Sequence, residues 1–545
     1  MEYFINVQCL VAKKLYICKS KILNMSNKET FSKEMLKGYD FKDLPSIILG
    51  GAMIDGECLK EHFVKVPLKT LNRHGLIAGA TGTGKTKTMQ ILAEQLANQG
   101  IPSLLVDIKG DLSGIAAPSP GHPKIDERHA LIGLPFKKGK SPVEFLTLSG
   151  EKGVRLRATV SEFGPVLFGK ILDLNATQSG VLSVVFKYCD DHRYPLLDLK
   201  DLRETLQYIT DAGKEEFKAE YGMVSTATVG AILRKIVELE QQGADLFFGE
   251  PSFEVDDLVR VNRSGKGVVS ILRVSDIQDK PKLFSTFMLQ LLAEIYATFP
   301  EEGDLDQPKL CLFIDEAHLV FKNASKALLE QLEAIVKLIR SKGVGIFFVT
   351  QNPTDIPDEI LSQLGLKVQH ALRAFTAKDR KNIKLAAQNF PDSPYYDVAD
   401  LLTQMGIGEA LVTALNKKGI PTPLVHTLLR APQSRMDVLT EEEIDAIVSK
   451  SKLVRKYAEP DDRKSAYEIL EKKINEAASE EHQKELEKQK KKAKKSSKKE
   501  KSWLESVYNS TTTRQIGRTV ARELTRGILG VLGIRTTRRR RRRRY

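Results

Sequence analysis

Cysteine is scarce and unpatterned. Cys9, Cys18, Cys58, Cys189 and Cys311 are scattered over 545 residues without a C-x-x-C pair, which excludes a thiolate zinc module and a secreted disulfide scaffold. Tryptophan occurs once, at Trp503. No apolar run reaches the roughly 18 residues that a membrane-crossing helix needs. The apolar stretch at residues 3–12 comes before Lys13 and Lys14 rather than after a basic segment, the reverse of a secretory leader. A reducing, cytoplasmic compartment is the expectation these absences leave. Met25 opens the polar run Ser26-Asn27-Lys28, so residues 1–24 fit an upstream start. No internal repeat is visible.

Positive charge is in excess, but only locally. The chain holds 84 Lys+Arg against 70 Asp+Glu, a net charge of +14. Residues 451–545 contribute 29 basic and 13 acidic groups, leaving 55 and 57 for residues 1–450. The body is therefore near neutral, and net charge cannot argue that it binds nucleic acid. With 41% hydrophobic residues at this length, the chain can bury more than one core.

From about residue 46 to 430, short β-rich apolar runs alternate with helical spacing, which predicts an α/β fold on a mainly parallel sheet. Strands are expected at 75–79, 103–107, 267–274, 309–315, 345–350, 368–373, 409–414 and 422–428. Residues 112–266 read mostly as helix, at 179–188, 198–209 and 226–243 among others, and are expected as an inserted subdomain too long to be a loop. Residues 1–45 form an N-terminal extension. Residues 431–460 are expected as a linker, in which Thr440 before Glu441, Glu442 and Glu443 has the pattern of a capped helix start. Residues 461–545 form a Lys/Arg-rich tail.

Gly79-Ala80-Thr81-Gly82-Thr83-Gly84-Lys85-Thr86 satisfies G-x-x-x-x-G-K-[ST] between an expected strand and an expected helix. Such a loop turns successive backbone N–H groups inward around a β-phosphate at a helix N-terminus. Lys85 then supplies charge to the β- and γ-oxygens of ATP, and the Thr86 hydroxyl a ligand to Mg2+. The run 310–316, Leu-Cys-Leu-Phe-Ile-Asp-Glu, delivers two carboxylates to the end of a buried strand. Asp315 is expected to hold Mg2+ through water, and Glu316 to polarise the attacking water. The alternative for this pair is an acidic cap on the helix that follows. Residues 346–351 form another buried strand, ending in Gln351, placed to touch the γ-phosphate or the lytic water, or else to satisfy loop backbone groups. Asp107 and Asp111, in Val-Asp-Ile-Lys-Gly-Asp, reach the same sheet edge. They either order the site or serve Asp-Gly turn chemistry.

Two arginines compete for a trans-acting role. The helix expected at 325–340 carries an apolar stripe at Leu328, Leu332, Ile335, Val336 and Ile339, leaving Arg340 at its C-terminal end. There it either complements the helix dipole, worth about 0.3–1 kcal/mol, or reaches a neighbouring subunit's γ-phosphate. Arg373, ending the strand expected at 368–373, is the rival.

Taken together, Arg73-His74-Gly75-Leu76-Ile77-Ala78 before the Gly79–Thr86 loop, the D-x-K-G-D run at Asp107, Ile314-Asp315-Glu316-Ala317-His318, and the run Ser-Lys-Gly-Val-Gly-Ile-Phe-Phe-Val-Thr-Gln-Asn-Pro at 341–353 resemble the HerA/FtsK superfamily of hexameric DNA translocases, and within it the bacterial HerA-like ATPases. The resemblance covers about residues 46–430. It implies a RecA-like P-loop fold, a ring of six subunits with ATP between neighbours, and DNA gripped near the pore. It also implies Walker A roles for Lys85 and Thr86, Walker B roles for Asp315 and Glu316, a sensor role for Gln351, and less directly a trans-acting role for Arg340. Archaeal-type members carry an N-terminal β-barrel, for which about 45 residues are too few, so a nuclease partner engaged through such a barrel is not expected.

In the tail, Arg514, Arg518, Arg522 and Arg526 recur every four residues, and Ile516, Val520, Leu524 and Ile528 follow two positions later. At about 100° per residue the two stripes face opposite ways, which predicts a basic amphipathic helix over about 513–532. Such a helix would dock its apolar face on the ATPase ring or lie on an anionic membrane surface, and the tail as a whole is expected to contact nucleic acid, to meet an anionic membrane surface, or to serve solubility or assembly. Arg538 to Arg544 add a polycation suited to phosphate. The expected function is a Mg-dependent ATPase coupled to movement on DNA, a translocase or helicase. The alternatives are a nucleotide-gated scaffold that moves nothing and a membrane-associated transfer ATPase.

Overall fold

The computed structural model describes residues 27–478, apart from 43, 149, 278–279, 304, 322–325 and 458–464. The expectations for residues 1–24, Cys9, Cys18 and the helix at 513–532 fall outside the described residues.

Among the described residues the strands are β1 (Ser46–Ile54), β2 (Glu57–Pro67), β3 (Gly75–Ala78), β4 (Ser103–Asp107), β5 (Val143–Thr147), β6 (Val154–Arg155), β7 (Val269–Arg273), β8 (Leu310–Ile314), β9 (Val344–Thr350), β10 (Leu366–His370), β11 (Glu409–Thr413) and β12 (Val425–Leu429). They form one sheet in the order β2-β1-β12-β11-β10-β3-β9-β8-β4-β7-β5-β6. Every pairing from β10 through β6 is parallel. The four pairings on the other side of β10 are antiparallel. The mainly parallel α/β architecture expected from the sequence is present.

Alternation along each strand divides the core in two. Leu76, Leu104, Val106, Leu272, Leu312, Ile346 and Phe348 face one side, with the helices at Val160–Ile171, Pro281–Thr298 and Lys326–Ile339. Ile77, Leu105, Ile271, Phe313, Phe347, Val349 and Val368 face the other, with the helix Lys85–Asn98 and the N-terminal helix at 27–38. Phe313 and Phe347 stack across β8 and β9 with ring centroids 4.7 Å apart. Strands buried on both faces read as continuous apolar runs, which is why β4, β8 and β9 are legible.

The departures from expectation have physical causes. β1 has its apolar residues split by Gly50 and Gly51, and β2 is a charged strand at the sheet edge, so neither shows an unbroken apolar run. β5 and β6 lie inside the stretch expected as mostly helical and extend the main sheet beside β7. Expected to run through 373, β10 stops at His370 because the Ala371 carbonyl accepts the Ala80 N–H at 2.8 Å rather than continuing the ladder. Residues 431–460, expected as a linker, are instead packed from Ala431 to Tyr457. The buried Glu94 carboxylate on the helix Lys85–Asn98 accepts the N–H groups of Gln433 and Ser434 and the Ser434 hydroxyl, at 2.7–3.2 Å. The capping box at Thr440 and Glu443 is formed. In the N-terminal segment, Phe31, Met35 and Tyr39 are buried, and the Tyr39 hydroxyl donates to the Pro423 carbonyl at 2.8 Å. No helix among the described residues is long and apolar enough to cross a membrane.

His74, fully buried before β3, ties three elements together. Its Nε2–H donates to the Val336 carbonyl at 2.8 Å and its Nδ1 accepts the Ile346 N–H at 3.0 Å. An imidazolium would point a second N–H at the Ile346 N–H. Burial lowers its pKa to about 4, assisted by the Arg340 charge and opposed by the Val336 bond. The unfolded chain therefore binds this proton more readily than the native one between an ordinary value near 6.5 and about 4. Stability is expected to fall as pH drops through that window, by up to about 3 kcal/mol from this residue. Denaturant melts of His74→Gln should show a shallower loss between those pH values than the unsubstituted chain; an identical slope would refute the assignment.

Candidate active site

The parallel strands deliver their C-terminal ends to one edge, and β3 runs straight into the glycine loop. Gly79 N–H donates to the Thr350 carbonyl at 3.2 Å, which ties the loop to the end of β9. Gly79 has φ 153°, and a Cβ there would stand 2.4 Å from the His370 Cβ. Gly84, with φ 116°, starts the helix Lys85–Asn98 from a left-handed conformation. The Thr83 hydroxyl donates to the Ala80 carbonyl at 2.7 Å and closes the loop.

Lys85 is 6% exposed, and its Nζ donates to the loop's own carbonyls, Gly79 at 2.7 Å and Ala80 at 3.2 Å. Burial and the Lys109 ammonium lower its proton affinity, while Glu316, Asp315 and Asp111 oppose them. The Thr86 hydroxyl donates to Asp111 Oδ2 at 3.2 Å.

β8 ends in the acid pair. Asp315 is 2% exposed and Glu316 6%. Glu316 has φ 45°, a left-handed conformation uncommon for a side chain of this size. Its Oε1 lies 2.5 Å from Lys109 Nζ and its Oε2 3.2 Å from His318 Nδ1. Burial favours a neutral Glu316, yet Lys109, His318 and Gln351 hold its pKa below the usual carboxylate value. For Asp315 burial prevails and raises the pKa, against the Lys109 charge.

The Asp107 and Asp111 readings separate. Asp107 accepts the N–H groups of Gly110, Asp111 and Leu112 at 2.7–3.2 Å, which is turn chemistry. Burial, reinforced by Asp111, pushes its pKa up to about 6. Asp111 instead bonds Thr86, so it orders the hydroxyl expected at the metal.

Gln351 is exposed at the end of β9, between the loop strand β3 and the acid strand β8, within reach of Glu316. Arg373 is exposed at the same edge, its guanidinium donating to the Thr403 carbonyl at 3.0 Å. Arg340 lies in the 3-10 turn Arg340–Lys342 that precedes β9, so it stands at the opposite edge, on the side of His74. The structure thus gathers residues 79–86, Asp315, Glu316, Gln351 and Arg373, and leaves Arg340 apart.

Two contributors escape sequence reasoning. Lys109 was visible only as part of the Asp107 run; its role follows from β4 lying beside β8, and strand order is not written in the sequence. His370 closes the underside of the loop, its Nε2 lying 2.9 Å from the Thr88 hydroxyl.

The residues present fit Mg-ATP. The loop offers a helix N-terminus to phosphate, and the buried oxygens Asp315 Oδ2 and Asp111 Oδ1 accept no hydrogen bond. Hydroxyl and carboxylate oxygens are the hard ligands that Mg2+ prefers. Among the described residues no group of three or more His, Cys, Asp or Glu side chains is arranged to hold a metal ion. Mg2+ coordination is ordinarily completed by phosphate and water.

Over residues 54–540 the chain matches the helicase HerA-like C-terminal family. It belongs to that family. The DNA double-strand break repair helicase HerA of Sulfolobus acidocaldarius is 22% identical over 414 residues, 74% of each chain. The probable DNA double-strand break repair helicase HerA of Methanocaldococcus jannaschii is 24% identical over 397 residues, 66% of this chain and 73% of the relative. Among solved structures, the bacterial conjugative coupling protein TrwBdeltaN70 is similar with a TM-score of 0.48 at 14% identity, covering 75% of this chain and 95% of its own. Within this HerA-like family, the glycine loop of β3, flanked by β10 and β9 with the acid strand β8 next, is the core of a RecA-like P-loop ATPase.

Proposed function

We propose that this HerA-like chain hydrolyses Mg-ATP and couples the cleavage to movement along DNA, working as a ring of six subunits. The convergence of Lys85, Thr86, Asp315, Glu316 and Gln351 on one sheet edge carries this reading. Lys85 leaves the Gly79 and Ala80 carbonyls for the β- and γ-oxygens, a short move for a flexible stem. The loop amides hold the β-phosphate. Mg2+, held by the Thr86 hydroxyl and through water by Asp315, would neutralise charge on the phosphate oxygens. Glu316 accepts a proton from the attacking water. Gln351, beside Glu316, orients the same water.

A trans-acting arginine must stand on a surface distinct from its own nucleotide edge, because a ring interface joins two different patches of identical subunits. Arg340 meets that condition and Arg373 does not. We therefore assign Arg340 to the neighbour's γ-phosphate and Arg373 to loop support through Thr403. DNA as the track is supported by the names of the relatives, both DNA double-strand break repair helicases. The basic tail adds salt-sensitive retention on phosphate.

The test is ATP turnover with and without duplex DNA across a salt series. Turnover is expected to rise with DNA. A chain ending at Ala478, which keeps the helix Ala466–Ala478 with its buried Ala466 and Leu470, should retain that rise at low salt and lose it at lower salt than the full chain does. ATP hydrolysis indifferent to every polynucleotide would favour the scaffold reading instead.

A further inference from the structure

Beside the two acids stands an ammonium group belonging to the protein itself. Lys109, two residues past β4, places Nζ 2.5 Å from Glu316 Oε1 and 3.5 Å from Asp315 Oδ2. The longer contact is an ion pair without a hydrogen bond, and Asp315 Oδ2 remains a buried acceptor with no donor. Two adjacent buried carboxylates require a nearby cation to stay ionised together. Lys85 is engaged with the Gly79 and Ala80 carbonyls. Of the two acids, His318 pairs with Glu316. Among the described residues, Lys109 alone bridges both acids.

The Lys109 side chain is 36% exposed, against 2% for Asp315, so its head is reached from solvent while its partner lies beneath. A divalent cation arriving at Asp315 would meet that ammonium within a few ångströms, where like charges repel strongly in a partly buried site. Both cannot hold the same oxygens.

We propose that Lys109 is a tethered counter-cation, a positioning residue whose ammonium neutralises Asp315 and Glu316 in the nucleotide-free chain and is displaced when the metal ion enters. Displacement frees Glu316 to face water only once the metal and its triphosphate are seated. Lys109 thereby sets the Mg2+ concentration at which the site loads. The inference rests on the Mg-ATP reading of this edge, but its first test needs no turnover.

That test is the thermal midpoint of the full chain without nucleotide, titrated with MgCl2 against NaCl of matched ionic strength. Lys109→Met keeps the length of the side chain and removes its charge. It is expected to melt about 3 °C or more below the unsubstituted chain in the absence of divalent ions. Millimolar Mg2+ should recover most of that loss by binding the vacated oxygens, whereas the unsubstituted chain should respond little. Lys109→Arg should behave like the unsubstituted chain. If Lys109→Met does not accumulate, the double variant Lys109→Met/Glu316→Gln, which removes charge from both sides, is expected to fold and to melt closer to the unsubstituted chain.

A second readout is the Mg2+ dependence of ATP turnover with DNA present. Half-saturation by Mg2+ is expected at about tenfold lower concentration in Lys109→Met, the factor that corresponds to losing one charge-assisted contact. Equal Mg2+ responses of Lys109→Met and the unsubstituted chain in the melts, or a higher Mg2+ requirement in turnover, would overturn the proposal. Failure of the unsubstituted chain to hydrolyse ATP would instead sink the Mg-ATP reading.

Discussion

Glu316→Gln is expected to keep ATP in the site and to lower its turnover at least about 100-fold, the scale on which a positioned general base acts. That factor corresponds to about 2.7 kcal/mol of transition-state stabilisation. The amide preserves size and can still contact Lys109 and His318, so the local fold should survive. It cannot accept the water's proton. The backbone at Glu316 is held at φ 45°, which turns the chain out of the ordinary run of β8 at the residue that meets both Lys109 and Gln351. Strain at one residue persists only where the surroundings enforce it; here the Ala317 N–H bond to the Val349 carbonyl at 2.9 Å helps to do so. The measurement is a filter assay for retained radiolabelled ATP beside a phosphate-release assay. Phosphate release at the unsubstituted rate would show that another group activates the water.

Lys85→Ala should act one step earlier, weakening ATP binding about 100-fold and removing turnover with it. Charge-assisted hydrogen bonds to phosphate are worth about 1.5–3 kcal/mol each, and no other described cation is placed to replace Lys85 on the loop. Lys109 is the nearest, but it is drawn to Glu316 and Asp315. The Ala80 carbonyl keeps the Thr83 hydroxyl and N–H, so only the buried Gly79 carbonyl loses its donor, at a cost of about 1–3 kcal/mol. Thermal midpoints without nucleotide should therefore fall by a few degrees with the fold retained, while the stabilisation that ATP confers on the unsubstituted chain disappears. ATP binding at unsubstituted affinity would remove the phosphate-cradle reading altogether. The two variants separate binding from chemistry: one should lose both, the other only the second.

The loop and the acid pair are legible in one dimension because each is local. Gly79 to Thr86 make a turn whose glycines and lysine act within eight consecutive residues. Asp315 and Glu316 announce themselves because five apolar residues of β8 precede them, a run that only burial on both faces sustains. Gln351 follows β9 for the same reason. Strand ends of a parallel sheet collect on one edge, so residues at the ends of apolar runs become site candidates without any knowledge of which strand neighbours which.

What depends on neighbours was not legible. The ion pair of Lys109 exists because β4 lies beside β8, and the choice between Asp107 as turn residue and Asp111 as partner of Thr86 was open until their hydrogen bonds were seen. Arg340 and Arg373 are equivalent as arginines after apolar runs; one sits before β9 and the other after β10, so the sheet sends them to opposite edges. β1, its apolar residues split by Gly50 and Gly51, and β2 and the segment from Ala431 to Tyr457, where charged and polar residues interrupt the apolar ones, do not declare themselves. They are held by contacts such as Glu94 with Gln433 and Ser434, made across more than three hundred residues. The sequence alone determined the phosphate loop, its carboxylates and the alternation that makes a parallel sheet, since these are set by neighbours along the chain. Tertiary structure decided the order of the strands, and with it which cation guards the acids and which arginine faces away, because pairing between distant segments is chosen by the packing of whole elements and not by any one of them.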